Sequence, residues 1–261
     1  MTTKLRLAVH KFTSCDGCQL ALLNLGPTLL AVAERFEIVH FAEAGPVDAD
    51  AAVDIALVEG SVSTPDEEAR IRRIRAAARF VVTIGACANT GGIQALRNLP
   101  HEGDWVGAIY ASPQHIETLK EVRAIGTVVK VDLELWGCPV TSAQVLAALR
   151  ALAAGVLPAG EADKVCLECK RSQTVCVMVT HQVPCLGPVT RSGCGAICPR
   201  YGRDCYGCFG PAETPNTDAF TRRLEGLGLP PRAVAQRYRL IHSAAPVFAA
   251  AARAALERDD G

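Results

Sequence analysis

Twelve of the 261 residues are cysteines, and eight of these fall between Cys166 and Cys208. The surrounding stretch, 163–210, is rich in Gly and Pro and has little apolar periodicity, so it has no ordinary means of building an apolar core. A chain of this length can bury enough surface to do without disulfides, and disulfides are not the natural state of so many thiols in a reducing compartment. Bound metal is the remaining organiser, because coordination by thiolates offsets the entropy of ordering a chain that cannot pack by itself. Twelve is also three times four, the ligand count of an all-cysteine cubane and of a four-cysteine zinc site.

The first part of the chain reads differently. Residues 5–12, 37–42, 53–58, 80–84 and 127–135 have the apolar, β-branched character of strands. The run 53–58 (VDIALV) is almost continuously apolar, as in a parallel strand covered on both faces. Between the strands lie helical patterns: 18–36, interrupted at Gly26-Pro27, then 65–79, then 142–155 with a glycine stop. The second of these has a well-marked start, with Thr64 as N-cap, Pro65 at the first helical position and Asp66, Glu67 and Glu68 in the first turn. Strands alternating with helices predict an α/β fold with an open, doubly wound parallel sheet. The segment 98–126 is expected to be an irregular excursion. The pattern turns helical again from residue 216, first over DAFTRRLEGLG and then over PPRAVAQRYRLIHSAAPVFAAAARAALER. The expected division is a sheet domain over 1–158 and a cysteine-rich domain over 159–261.

Formal net charge is zero. The basic cluster IRRIR lies in a helical pattern and reads as a solvated face, so nucleic acid is not an expected partner. The amino terminus has neither the apolar run of a signal peptide nor a twin arginine, and no apolar run of membrane-spanning length occurs. A cytoplasmic chain without a membrane span is expected.

The four scattered cysteines follow strands directly. Cys15 and Cys18 follow the first, Cys87 the fourth and Cys138 the fifth. In an open parallel sheet the carboxyl ends of the strands share one edge, where ligands bind. The fold would thus bring these four thiols together. Taken alone, Cys15-Asp16-Gly17-Cys18 also fits a redox dithiol ahead of a helix. The other eight divide by proximity into Cys166, Cys169, Cys176 and Cys185, and Cys194, Cys198, Cys205 and Cys208. Cys185 and Cys194 are interchangeable in that division. Paired CxxC motifs also make zinc ribbons, so a zinc-organised scaffold is the alternative for this region. The turns Cys198-Pro199 and Cys185-Leu186-Gly187-Pro188 resemble those near iron–sulfur clusters.

Taken together, these motifs carry a family resemblance. They run from Phe12-Thr13-Ser14-Cys15-Asp16-Gly17-Cys18 through Glu59-Gly60-Ser61-Val62-Ser63-Thr64, Gly85-Ala86-Cys87-Ala88 and Gly137-Cys138-Pro139. They continue into Cys166-Leu167-Glu168-Cys169, Pro184-Cys185-Leu186-Gly187-Pro188-Val189-Thr190-Arg191, Gly193-Cys194 and Cys205-Tyr206-Gly207-Cys208. The chain resembles the small, electron-transferring subunit of a [NiFe] hydrogenase. More narrowly, it is similar to the delta subunit of the cytoplasmic, NAD(P)-linked bidirectional enzymes also called sulfhydrogenases. The resemblance implies a flavodoxin-like domain holding a proximal [4Fe–4S] cluster on Cys15, Cys18, Cys87 and Cys138. It implies medial and distal [4Fe–4S] clusters on the two carboxy-terminal sets. Membrane-bound relatives place a histidine where Cys166 stands and leave the medial cluster with three irons; here both sets have four cysteines. The resemblance further implies a large-subunit partner with the nickel–iron centre, and diaphorase partners with flavin and NAD(P). An iron–sulfur subunit of another redox complex, coenzyme-reducing or complex I-like, is the second expectation. The complex I relative has adjacent cysteines at the first site, which the separated pair here does not match.

A few other residues are candidates beside the cysteines. Glu59 ends a strand in the same crevice and is a candidate for proton transfer. Thr13, Ser14 and Thr90 are candidate hydrogen-bond donors to cluster sulfur, against an ordinary role in loops and caps. The six histidines, 10, 40, 101, 115, 181 and 242, lack paired ligand spacing, and His181 alone lies among the cysteines. Gly85 to Gly92 is glycine-rich but is neither GxGxxG nor a P-loop, so a nucleotide site is expected on a partner.

Overall fold

The computed structural model describes residues 4–99, 105–160 and 163–258. His101, one of the six histidines considered above, lies outside the described residues. The first half runs β1 (Leu5–Lys11), α1 (Gly17–Leu23), α2 (Thr28–Arg35), β2 (Phe36–Phe41), β3 (Val53–Glu59), α3 (Pro65–Ala77), β4 (Ala78–Ile84) and α4 (Gly85–Thr90). After it come α5 (Trp105–Ile109), β5 (Leu133–Leu135) and α6 (Ser142–Ala153). The cysteine-rich part has only short helices, α7 (Val165–Arg171), α8 (Val177–Thr180) and α9 (Ile197–Arg200). It closes with α10 (Thr217–Glu225), α11 (Pro231–His242) and α12 (Pro246–Glu257).

The strands form one sheet in the order β2-β1-β3-β4-β5, with every pairing parallel. This is the doubly wound arrangement with its switch point between β1 and β3. β3 is central, and Ile55, Ala56, Leu57 and Val58 are all essentially inaccessible, which explains the unbroken apolar run. One face packs on α1, α2 and α6 through Leu7, Val9, Leu57 and Leu149; the other packs on α3 through Ala8, Val58, Ile71 and Ile74. α3 starts as its sequence predicts. Thr64 Oγ1 accepts from the Glu67 N–H, and the Glu67 carboxylate accepts from the Thr64 N–H.

Two elements differ from the expected pattern. The apolar stretch 127–135 is strand only over Leu133–Leu135. Val128, Val129 and Val131 instead pack on the α3-side core, and Asp132 Oδ2 takes the Val81 N–H ahead of the pairing. The long helical pattern after residue 230 is split at Ser243–Ala245, with Pro246 opening α12, where its missing N–H costs nothing. A separate core, from Val165 to Leu256, joins the cysteine-rich segment to α10, α11 and α12 around Tyr238 and Phe248. Among the described residues, no helix is long and apolar enough to cross a membrane.

Candidate metal centres

The first site lies at the carboxyl edge of the sheet. Beyond β1 the chain is tied to the end of β3, with the Phe12 N–H donating to the Glu59 carbonyl and Thr13 and Ser61 exchanging backbone bonds. This tie sets where Cys15 and Cys18 fall. Asp16 takes a left-handed conformation and its carboxylate meets Lys11 Nζ at 2.7 Å. β4 and β5 are joined in the same way by the Ala86 N–H and the Gly137 carbonyl, which brings Cys87 and Cys138 to the same crevice.

Glycines let the sulfurs approach. A Cβ on Gly85 would stand 2.4 Å from Cys18 Sγ, and one on Gly92 would stand 2.7 Å from Cys87 Sγ. Both glycines have positive φ, so both positions disfavour a side chain on backbone grounds as well. A Cβ on Gly17 would touch Cys15 Sγ and the Pro139 ring, placing Cys15 beside the Cys138-Pro139 turn.

Burial pushes the Cys18 thiol far up, and Glu59, Cys87 and Cys138 add to the effect. Burial pushes Cys87 to about 11, reinforced by Cys138 and Cys15. Burial, then Cys15, also raises Cys138. A cationic metal bound among such thiols favours their thiolate forms and offsets the cost of burying them.

The other eight cysteines form two further groups. α7 carries Cys166 and Cys169, and Cys176 precedes α8. A Cβ on Gly187 would meet Cys166 Sγ and Cys185 Sγ, each at 3.5 Å, so this glycine presses both thiols into one place. Burial pushes Cys166 to about 11, with Cys185, Cys169 and Cys176 contributing. In the last group, burial pushes Cys208 to about 12, with Cys194 and Cys198 next in effect. Cys205 is deeply buried beside both Cys185 and Cys208. Cys185 lies against Cys166 at Gly187 and also beside Cys205, while Cys194 lies beside Cys208.

The groups are also ordered in space, which spacing alone left open. The Cys138 backbone N–H is directed toward Cys208 Sγ, and the Cys205 N–H donates to Cys185 Sγ at 3.2 Å. The 194–208 group therefore sits between the other two. Further backbone N–H groups already point at sulfur: Val140 at Cys18, Gly187 at Cys185, Gly207 at Cys205, and Ala196 and Ile197 at Cys194. Such donors favour the thiolate form. Among the described residues, no three His, Cys, Asp or Glu side chains come close enough to share a single metal ion. All twelve thiols are free of disulfides. The donor set fits thiolate-bound clusters.

Glu59 is almost wholly buried at this edge. Its Oε1 accepts the Cys18 N–H at 3.0 Å, its Oε2 has no partner, and burial raises its carboxyl. The three candidate hydroxyls are committed elsewhere. Thr13 donates to Glu67 and Ser14 to Asp16, while Thr90 Oγ1 contacts the Ala86 carbonyl and His242 Nδ1. None of the three bonds a cysteine sulfur, because each has a nearer oxygen or nitrogen partner. His181 is exposed at the end of α8, and His115 is exposed as well; His10 and His40 stack in the core at 4.6 Å.

Two residues escaped the sequence reading. His242, fully buried, has its Nδ1 2.7 Å from Thr90 Oγ1, and its Nε2 meets the Cys208 carbonyl at 3.1 Å. Because a carbonyl only accepts, Nε2 carries the proton and Thr90 donates to Nδ1. The ring thus straps the Cys87 helix to the Cys208 loop. Glu168 collects the N–H groups of the Cys194 loop. A lone histidine at the end of an amphipathic helix gave no local signal. A glutamate between ligand cysteines, facing a Gly-Cys-Gly turn, was the only cue for the second.

Comparison with known proteins places these features in context. Residues 15–152 match the protein family described as NADH ubiquinone oxidoreductase, 20 Kd subunit. The chain is 33% identical over 235 residues to the sulfhydrogenase 2 subunit delta of Pyrococcus furiosus, covering 90% of this chain and 98% of that protein. It is 31% identical over 242 residues to one subunit of the F420-non-reducing hydrogenase vhu of Methanocaldococcus jannaschii, covering 82% of this chain and 84% of that protein. Among solved structures, it superposes on a chain of an NAD+-reducing [NiFe]-hydrogenase in the H2-reduced state with a TM-score of 0.55 and 29% identity. That match covers 60% of this chain and 95% of the other.

Proposed function

The chain belongs to the NADH ubiquinone oxidoreductase 20 Kd subunit family, on its hydrogenase small-subunit side, and from that premise we propose that it is the electron relay of a [NiFe] hydrogenase complex. Three [4Fe–4S] clusters are held by Cys15, Cys18, Cys87 and Cys138; by Cys194, Cys198, Cys205 and Cys208; and by Cys166, Cys169, Cys176 and Cys185, in that order through the protein. Residues 1–158 and 159–261 act as the two units that carry them. When bound, the clusters accept and release single electrons. The chain's own part is to bury the thiolates, aim N–H groups at their sulfurs and hold neighbouring sets in register.

The observation that carries this reading is the repeated link between sets. At each junction the backbone N–H of a cysteine in one set faces a cysteine sulfur of the next, and at Cys205 and Cys185 it forms a 3.2 Å hydrogen bond. Thr90, His242 and the Cys208 carbonyl brace the first junction again. Glu59, buried with a free Oε2 beside Cys18, is suited to hold or pass a proton at the edge that faces a large-subunit partner. A diaphorase partner with flavin and NAD(P), in the cytoplasm, receives the electrons beyond Cys176, the exposed member of the last set. The likeness to a component of an F420-non-reducing hydrogenase favours a second reading of that exit alone, with an acceptor other than pyridine nucleotide.

Iron, zinc and acid-labile sulfide per chain, measured after anaerobic purification, test the assignment. The relay requires about twelve irons and as many sulfides. A few zinc ions without sulfide would replace the relay with a zinc-organised scaffold.

A further inference from the structure

The loop that carries Cys194 is folded around a carboxylate. Glu168 stands on α7 next to Cys169. Its Oε1 accepts the N–H of Gly193 at 2.9 Å and that of Gly195 at 2.9 Å, and its Oε2 accepts the N–H of Ala196 at 3.2 Å. The same Oε2 lies 3.7 Å from Cys194 Sγ. Gly193, Gly195 and Ala196 have φ of 123°, 68° and 52°. Positive φ at these positions turns the N–H groups toward one point, a concavity that attracts anions and that iron–sulfur sites commonly use. Here a side-chain anion fills it.

Among the described residues, no Lys or Arg forms an ion pair with Glu168 within 4 Å. The carboxylate also links two sets, since it rides on the helix of Cys166 and Cys169 and is anchored in the loop of Cys194.

We propose that Glu168 is a positioning residue that fixes the Cys194 loop and lowers the reduction potential of the cluster held by Cys194, Cys198, Cys205 and Cys208. The inference rests on the relay reading above. Reduction adds negative charge to a cluster, and a fixed anion a few ångströms from its ligand sulfur opposes that addition. The Gly193 and Gly195 N–H groups, which bond the carboxylate, are also withheld from sulfur, where they would favour the reduced form.

The test is a potentiometric titration, followed by electron paramagnetic resonance, of the anaerobically purified complex carrying wild-type, Glu168→Gln or Glu168→Asp chains. The signal of this cluster is identified by its loss in Cys198→Ala. Glu168→Gln keeps an oxygen for the Gly193 and Gly195 N–H groups but removes the charge. Its iron and sulfide should match wild type. At the wild-type midpoint, its reduced-to-oxidised ratio should rise about tenfold, which is ~59 mV for one electron. Glu168→Asp should stay close to wild type. A Glu168→Gln complex with full iron and an unchanged ratio would overturn the proposal. So would loss of this cluster's iron in Glu168→Gln, because the carboxylate would then only hold the loop. A wild-type complex without iron is a different failure, that of the relay reading itself.

Discussion

Around the sheet the cysteines sit at the rim of a core that is nearly complete without them, whereas in the carboxy-terminal region they are inside it. Among the described residues, the core facing α1, α2 and α6 contains Cys18 as its only cysteine, and the core facing α3 contains none. The core around Tyr238 contains Cys185 and Cys205, with Cys169 and Cys194 packed against it. The sheet region closes its parallel pairings over contacts that are almost wholly aliphatic and aromatic. The 163–210 segment closes over thiols that burial makes reluctant to ionise. One region therefore sets cysteines at the edge of a finished core, and the other includes them in the core itself.

That contrast is easiest to break by taking the metal away. Chelating the iron should abolish hydrogen-exchange protection through 163–210 while β1, β3 and β4 stay protected, because the core of the former includes the thiols themselves, Cys185 and Cys205. Equal loss in both regions would end the distinction.

A smaller effect sharpens the sheet side. His10, buried against His40 and Arg70, is held neutral by burial first and those charges second, with its pKa lowered to about 3. A depressed histidine pKa means that the unfolded chain binds the proton more readily, so stability is lost as pH falls from the unfolded value of about 6.5 toward 3. The loss should be about 2 kcal/mol by pH 5, read as faster exchange of the β1 and β2 amides. A His10→Phe chain should show a flatter profile over the same window. An unchanged slope would remove His10 as its source.

The smallest effect belongs to a helix end. Thr64→Ala breaks the capping box of α3 and should cost about 1 kcal/mol, again localised to the sheet region. Thermal unfolding of the complex should leave the signals of the two carboxy-terminal clusters unmoved by this change.

The division between legible and hidden parts follows the range of the interactions. β1, β3, β4 and the start of α3 were readable because periodicity and cap chemistry act over a few residues. The crevice was readable because a parallel sheet aligns its strand ends, which placed Cys15, Cys18, Cys87 and Cys138 together from chain positions far apart. The stretch 127–135 misled because Val128, Val129 and Val131 are apolar for packing against the α3 side rather than for strand pairing. The order of the last two cysteine groups stayed hidden because it depends on which backbone N–H reaches which sulfur. His242 and Glu168 were hidden for the same reason. The partners of His242 lie 152 and 34 residues away in sequence, and those of Glu168 lie 25 to 28 residues away.

The central claim is that the 194–208 set stands between the other two in the path of the electrons. It is tested most directly by reducing the complex with hydrogen after Cys198→Ala removes the middle cluster. The account predicts that the cluster on Cys15, Cys18, Cys87 and Cys138 is still reduced by hydrogen. The cluster on Cys166, Cys169, Cys176 and Cys185 should then be reducible by dithionite but no longer by hydrogen on the wild-type timescale. Reduction of that last cluster by hydrogen at an unchanged rate would contradict the order, and with it the relay.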